Sequence, residues 1–449
     1  MKDEITKTGI FKKNVKGFGF VDIEDEEEGY YIDKHDTNGA MNLDTVSITE
    51  IPSRSIKGRQ AKVVRVLEHA HKTLVGTYEI QDKIPVCLAD DPKLGIVRIK
   101  GSKTFALAGD KVLVRIVYYG DGKEPSVGQI EEVIGHKDDP GVDILSVVKD
   151  YDVPTFFSSD IEEEANEVNR PPRKRYRGRE DLTGTFMVTI DGDDSKDLDD
   201  AVSVERDGDD YILGVHIADV SHYVKEGSLL DGEAYKRSTS IYLTDRVIPM
   251  LPRVLSNGIC SLNEGERRLA LSCIMRIDKR GNITDYRITK SIICVDHRMT
   301  YKAVNAILSG NDTSLCIKYA DAVGMFYMML DLSRRIRKRR KKRGSIDFDV
   351  AETKIIVDEE GVPIDIHPYD RNSATKIIED FMLIANETVA EEYYWSDLPF
   401  EYRIHETPLL EKVDILRDTM KSFGKYFKVS RDKIYPMEYQ KLLNSIKGE

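Results

Sequence analysis

The stretch TIDGDDSKDLDDAV, Thr189–Val202, sets six aspartates (Asp191, Asp193, Asp194, Asp197, Asp199 and Asp200) within ten residues. Two carboxylates about 4 Å apart repel by roughly 4 kcal/mol at an effective dielectric near 20. Such a loop is either spread out in water or held together by a cation. Its flanks bear on the choice. FMVTI (186–190) before it and AVSV (201–204) after it read as core strands, so the loop ends are anchored to a sheet. Asp191 closes one strand, while Asp197, Asp199 and Asp200 stand just before the next, so both ends can direct carboxylates into one concave space. Oxygen-only ligands of this kind suit Mg²⁺ or Mn²⁺. The competing readings are a solvated acidic turn and a calcium loop of EF-hand type. The calcium loop fails on spacing, with Lys196 where Gly is needed and Val202 where Glu is needed.

Around this loop, 449 residues at 40% hydrophobic and 33% charged describe a globular chain of two to four domains. No run approaches the ~18 apolar residues of a bilayer span, and MKDEITKTGI carries no apolar signal-peptide core. Cys87, Cys260, Cys273, Cys294 and Cys316 are scattered singly, which argues against a zinc site or disulfide framework and for a reducing, cytoplasmic setting. The net charge of -12 means that any nucleic-acid surface must be a local basic groove.

Along the chain, residues 1–52 and 58–136 read as two small β-barrels of OB type, each a set of short strands between turn signals. Phe18 and Phe20, then Tyr30 and Tyr31, are expected to place rings on one sheet face. AKVVRVLEHAHKTLVGTYEI reads as a hairpin-like pair opening the second barrel. Residues 137–182 read as a connector, and 183–449 as a mixed α+β domain. In that domain AVSVERDGDDYILGVHIADV forms a hairpin, and SATKIIEDFMLIANETVAEEYYW forms a helix.

TIDGDDSKDLDDAVSV, YILGVHIADVSHYV, STSIYLTDRVIPMLP, CSLNEGERRLALSCIM, RGSIDFDV and RIHETP together resemble the catalytic domain of the ribonuclease II / ribonuclease R (RNB-type) family. KGFGFV (16–21) resembles the RNA-binding strand of the cold-shock domains that precede it. The resemblance implies a 3′-to-5′ exoribonuclease that hydrolyses single-stranded RNA processively to nucleoside 5′-monophosphates. It implies Mg²⁺ held by Asp191, Asp197, Asp199 and Asp200, with Asp199 the residue most needed for cleavage and Asp193 and Asp194 facing solvent. It implies that Tyr242 and Phe348 stack on the terminal bases, and that Phe18 and Phe20 contact RNA. An aromatic surface recognises any base by its π-face, at ~1–3 kcal/mol per base.

Other features weigh less. His216 and His222 are expected to orient or fill a buried strand rather than to catalyse. Ser240 and Ser272 have no His/Asp partners at suggestive spacing. The run RRIRKRRKKR, Arg334–Arg343, is open between an RNA path and a solvated helix face, and RPPRKRYRGR (170–179) is a basic connector. Against the family pattern the chain is expected to be truncated at the C-terminus, without an arginine segment that contacts the scissile phosphate and without a terminal RNA-binding barrel. The fragment is therefore expected to be inactive on its own if that segment is indispensable. The alternative function is a non-catalytic RNA-binding or regulatory protein that retains the scaffold. Protein partners are not indicated.

Overall fold

In the computed structural model the described residues are 6–446, except 25, 27, 53–57, 103, 122–123, 173–175, 347–352, 369–370 and 430–434. Five short strands, β1 (Thr6–Lys13), β2 (Gly19–Asp22), β3 (Tyr30–Ile32), β4 (Thr45–Ile51) and β5 (Gln60–Glu68), close into a barrel in the order β1-β2-β3-β5-β4. Phe11, Val21, Tyr30, Ile32, Val46, Ile48 and Val63 fill it. The second glycine of KGFGFV is a packing requirement: a Cβ on Gly19 would lie 2.4 Å from the Phe11 ring.

Two expectations are corrected here. Tyr30 and Tyr31 do not share a face, because successive strand residues point to opposite sides. Tyr30 is fully buried in the barrel, and Tyr31 lies opposite Phe20 across β2 and β3. AKVVRVLE does not open the second barrel. As β5 it pairs in parallel with β3 and antiparallel with β4, so the first barrel runs to Glu68 and not to residue 52. Only a few residues separate β5 from the next strand, which imitates a hairpin, but the long-range partners capture it.

The second barrel comprises β6 (Thr73–Gln81), β7 (Ile84–Ala89), β8 (Ile96–Ile99), β9 (Asp110–Tyr118) and β10 (Val127–His136), closed in the order β10-β8-β7-β6-β9. Helix α1 (Val142–Asp150) packs against β6, β9 and β10. Helix α2 (Ser159–Val168) instead buries Ala165 among Tyr223, Leu230 and Leu255. The segment expected to be a connector thus contains two helices, α1 laid on strands of the second barrel and α2 packed into a core of its own. The chain divides into two units, one of residues 1–155, 242–248 and 355–366, the other of residues 156–241, 249–354 and 367–449.

The second unit is built on a seven-stranded mixed sheet. Its strands are β11 (Glu180–Asp181), β12 (Val188–Asp191), β13 (Asp200–Asp207), β14 (Asp210–Ala218), β17 (Arg267–Ile277), β18 (Ile283–Cys294) and β19 (His297–Thr300), in the order β11-β18-β17-β14-β13-β12-β19. The two-residue strands β15 (Ile241–Tyr242) and β16 (Val247–Ile248) pair with each other, as do β20 (Thr353–Val357) and β21 (Pro363–Pro368). The expected hairpin is β13–β14, in register from Asp200↔Ile217 to Asp207↔Asp210.

Helices α3 (Val220–Tyr223), α4 (Leu229–Arg237), α5 (Tyr301–Ser309), α6 (Thr313–Lys318), α7 (Ala320–Arg343), α8 (Ser373–Trp395), α9 (Leu410–Ser422) and α10 (Pro436–Ile446) complete the described elements with a π-helical turn, Val254–Ile259. Val188, Ile190, Val202 and Val204 pack with α5, α7 and α8 on one face. Met187, Ala201, Leu198, Leu262 and Ile293 form a second core on the other. The expected helix 373–395 is α8, N-capped by the Asn372 side chain.

The basic run is the C-terminal half of α7, and most of its arginines are engaged within the protein. Asp380 on α8 is fully buried, accepting from Arg337 and Arg340 at 2.8 Å each and from the Ser333 hydroxyl at 2.7 Å. Arg335 pairs with Asp331, and Arg343 with Glu387. A large part of this run is therefore a helix–helix seam, not a free cationic surface.

Candidate active site

The acidic loop leaves β12 at Asp191 and re-enters the sheet at Asp200, the first residue of β13. What shapes it is an apolar residue between the acids. Leu198 is 1% exposed and sits in the core with Met187, Ala218 and Leu262, so Asp197 and Asp199 emerge on either side of a buried anchor. Backbone bonds fix this half of the loop. The Leu198 N–H donates to the Ser261 hydroxyl at 3.0 Å, which itself donates to the Lys196 carbonyl at 3.0 Å. Leu262 N–H donates to the Leu198 carbonyl at 2.8 Å, and Ala218 N–H to the Asp199 carbonyl at 3.0 Å. Arg268, itself buried, donates to the Ser261 carbonyl at 2.7 Å and braces the strut from behind.

Within this frame the carboxylates are near enough for their charges to act on one another. Burial, then the charges of Asp200, Asp199 and Asp197, push the Asp191 carboxyl up to about 7, with Arg298 opposing the shift. Burial and the neighbouring Asp199 push Asp200 up to about 6. Burial and Asp197 raise Asp199 as well. One Asp191 oxygen, Oδ2, is buried with no hydrogen-bond partner, a state that is costly unless a donor or cation fills it. Among the described residues no three His, Cys, Asp or Glu side chains form a ready-made cage for an ion. Mg²⁺ does not require one, since it binds through one or two carboxylates and keeps waters or phosphate oxygens in its other positions. The oxygen-only donor set, the crowded charge and the orphaned oxygen fit such an ion.

Asp193 and Asp194 are exposed on the loop's outer turn. His216 is 1% exposed, bridges Ser203 (3.2 Å) and Ser272 (2.7 Å), and is driven down to about 4 by burial, so it is a neutral core residue. His222 borders the buried Arg179–Asp219 ion pair, which removes Arg179 from the exposed basic segment. Phe18, Phe20 and Tyr31 form a cluster on the first barrel with centroids 5.6–6.2 Å apart, and Phe20 is 45% exposed. Tyr242, on β15, is 66% exposed. Phe348 lies outside the described residues. Leu198, Ser261 and Arg298 carried no expectation, although an apolar residue inside an acidic run is a visible sign of an anchor.

Comparison with known proteins follows the same division. The chain matches the RNB domain over residues 179–449, the cold shock domain over 89–158 and the ribonuclease B OB domain over 9–66. Ribonuclease R 1 of Lactococcus lactis subsp. lactis is 40% identical, over 99% of this chain and 56% of that protein. The curated relatives it matches are longer, and the chain spans between 51 and 63% of their length. Mycoplasma genitalium RNase R, solved with ribose-methylated single-stranded RNA, superposes with a TM-score of 0.89 at 28% identity, covering 98% of this chain and 70% of that one. Yeast Ssd1, described as a pseudonuclease, shares the fold with a TM-score of 0.69 at 18% identity, over 99% of this chain and 61% of that one. No helix among the described residues is long and apolar enough to cross a membrane.

Proposed function

The chain belongs to the RNB domain family, and from that premise we propose that it carries the hydrolytic centre of a 3′-to-5′ exoribonuclease acting on single-stranded RNA. The observation that carries this reading is the aspartate loop. Its carboxylates are crowded and partly buried, and one Asp191 oxygen has no partner. A structural loop gains nothing from that arrangement. The fold by itself does not separate a nuclease from a pseudonuclease, so the intact set Asp191, Asp197, Asp199 and Asp200 favours catalysis over the non-catalytic alternative.

Asp191 and Asp200, at the two sheet ends of the loop, would hold Mg²⁺, with Asp197 and Asp199 completing the site. When bound, the ion supplies an activated water and neutralises charge developing on the phosphoryl group. The chain's own part is positional. Leu198 and Ser261 keep the backbone from yielding to repulsion, and the Ala218 N–H fixes Asp199 where a water would be oriented. The Phe18–Phe20–Tyr31 surface suits stacking on successive bases without regard to sequence, and Tyr242 and Phe348 are assigned to the terminal bases. Five free cysteines fit a cytoplasmic setting.

The test is release of label from 3′-labelled single-stranded RNA by a protein that carries this chain within the full length of its relatives. Mononucleotide release is expected with Mg²⁺, none with EDTA, and at least a 100-fold loss for Asp199→Asn with RNA binding retained, the scale of an electrostatic contribution to phosphoryl transfer. Equal release by Asp199→Asn and wild type refutes the assignment.

A further inference from the structure

The loop from Gly192 to Asp199 has two halves held in different ways. Leu198 and Ser261 secure the second half. The first half makes its own turn, with Ser195 N–H donating to the Gly192 carbonyl at 3.3 Å, and receives one tie from another strand. That tie comes from Arg298. Strand β19 runs parallel to β12 with Thr189 opposite Arg298 and Asp191 opposite Thr300. Met299, between them, packs into the helix-side core, which puts Arg298 on the same face of the sheet as Thr189 and Asp191. From there Arg298 Nη2 donates to the Ser195 carbonyl at 2.5 Å, while its backbone N–H donates to Glu264 at 2.7 Å.

We propose that Arg298 is a positioning residue for the aspartate site, its guanidinium holding the Gly192–Ser195 half of the loop in the shape in which Asp191 faces Asp197–Asp200 before any ion binds. The inference rests on the reading of that loop as an ion site and adds the group that preorganises it. A charge-assisted bond to a carbonyl is stronger than a neutral one, and a preformed site binds its ligand without the cost of ordering the loop. The same positive charge, taken alone, opposes a second cation nearby. The two roles therefore predict opposite signs when the side chain is removed.

Mn²⁺ affinity, measured by electron paramagnetic resonance on the whole chain, separates them, with circular dichroism as the check on folding. Arg298→Met is expected to weaken Mn²⁺ binding about tenfold. Arg298→Lys, which keeps the charge and loses the fork, is expected to weaken it two- to threefold. Lys196→Met removes an exposed positive charge from the same loop without touching the tie, and is expected not to weaken binding. Arg298→Met binding as tightly as wild type, or more tightly, overturns the proposal and leaves the ion site standing. Wild type binding no better than Asp191→Asn overturns the ion site and this inference together. If Arg298→Met does not fold, Arg298→Lys decides, and affinity equal to wild type overturns the proposal.

Discussion

Asp191 illustrates what the site costs the fold. Its carboxyl is pushed up to about 7 by burial and by Asp200, Asp199 and Asp197, against an ordinary value of 3.8. A carboxyl shifted this way costs the folded state nothing below about pH 4, where it is protonated in both states. The cost grows as pH rises and is complete above about 7. In ion-free buffer Asp191→Asn is therefore predicted to stabilise the protein at pH 8, by on the order of 2–4 kcal/mol, and to match wild type at pH 4. Thermal melts at the two pH values in EDTA check this. A destabilised Asn variant at pH 8 would mean that the carboxylate is already satisfied. The acidic loop could be singled out in the sequence because acids bracketed by apolar strands are conspicuous, while the choice of Asp191, Asp197, Asp199 and Asp200 within it rests on the family resemblance. Arg298 could not, since its role depends on β19 lying beside β12 in parallel, a pairing across more than a hundred residues.

Helix α7 shows where local pattern misleads. RRIRKRRKKR advertises a polyanion surface, yet Arg337 and Arg340 converge on the fully buried Asp380 of α8. Nothing in the basic run identifies a partner that lies on the next long helix. Removing one member of a buried ion pair leaves uncompensated charge in the core. Asp380→Ala is accordingly predicted to cost about 3–5 kcal/mol. Glu387→Ala, which breaks the more exposed pair with Arg343, is predicted to cost under about 1 kcal/mol. Urea denaturation of the two variants measures the difference, and equal losses would show that the seam does not depend on Asp380. Strand β5 teaches the same lesson. Its composition marks a strand correctly, but the choice of barrel was made by β3 and β4.

Across the whole chain, strand-rich composition followed by mixed strands and helices was sufficient to anticipate two barrels ahead of an α+β sheet domain, because turn residues and hydrophobic period are local properties. The assignment of Phe20 to an exposed aromatic face was legible for the same reason, whereas the burial of Tyr30 needed the strand phase. What ties the parts to a function is the loop that joins β12 to β13, where the sheet core supports a cluster of like charges. The most direct test is anomalous diffraction from crystals soaked in Mn²⁺. The account predicts a peak about 2.1 Å from carboxylate oxygens of both Asp191 and Asp200, lost in the Asp191→Asn protein. Crystals that show these side chains turned apart, with no peak between them under saturating Mn²⁺, would contradict it.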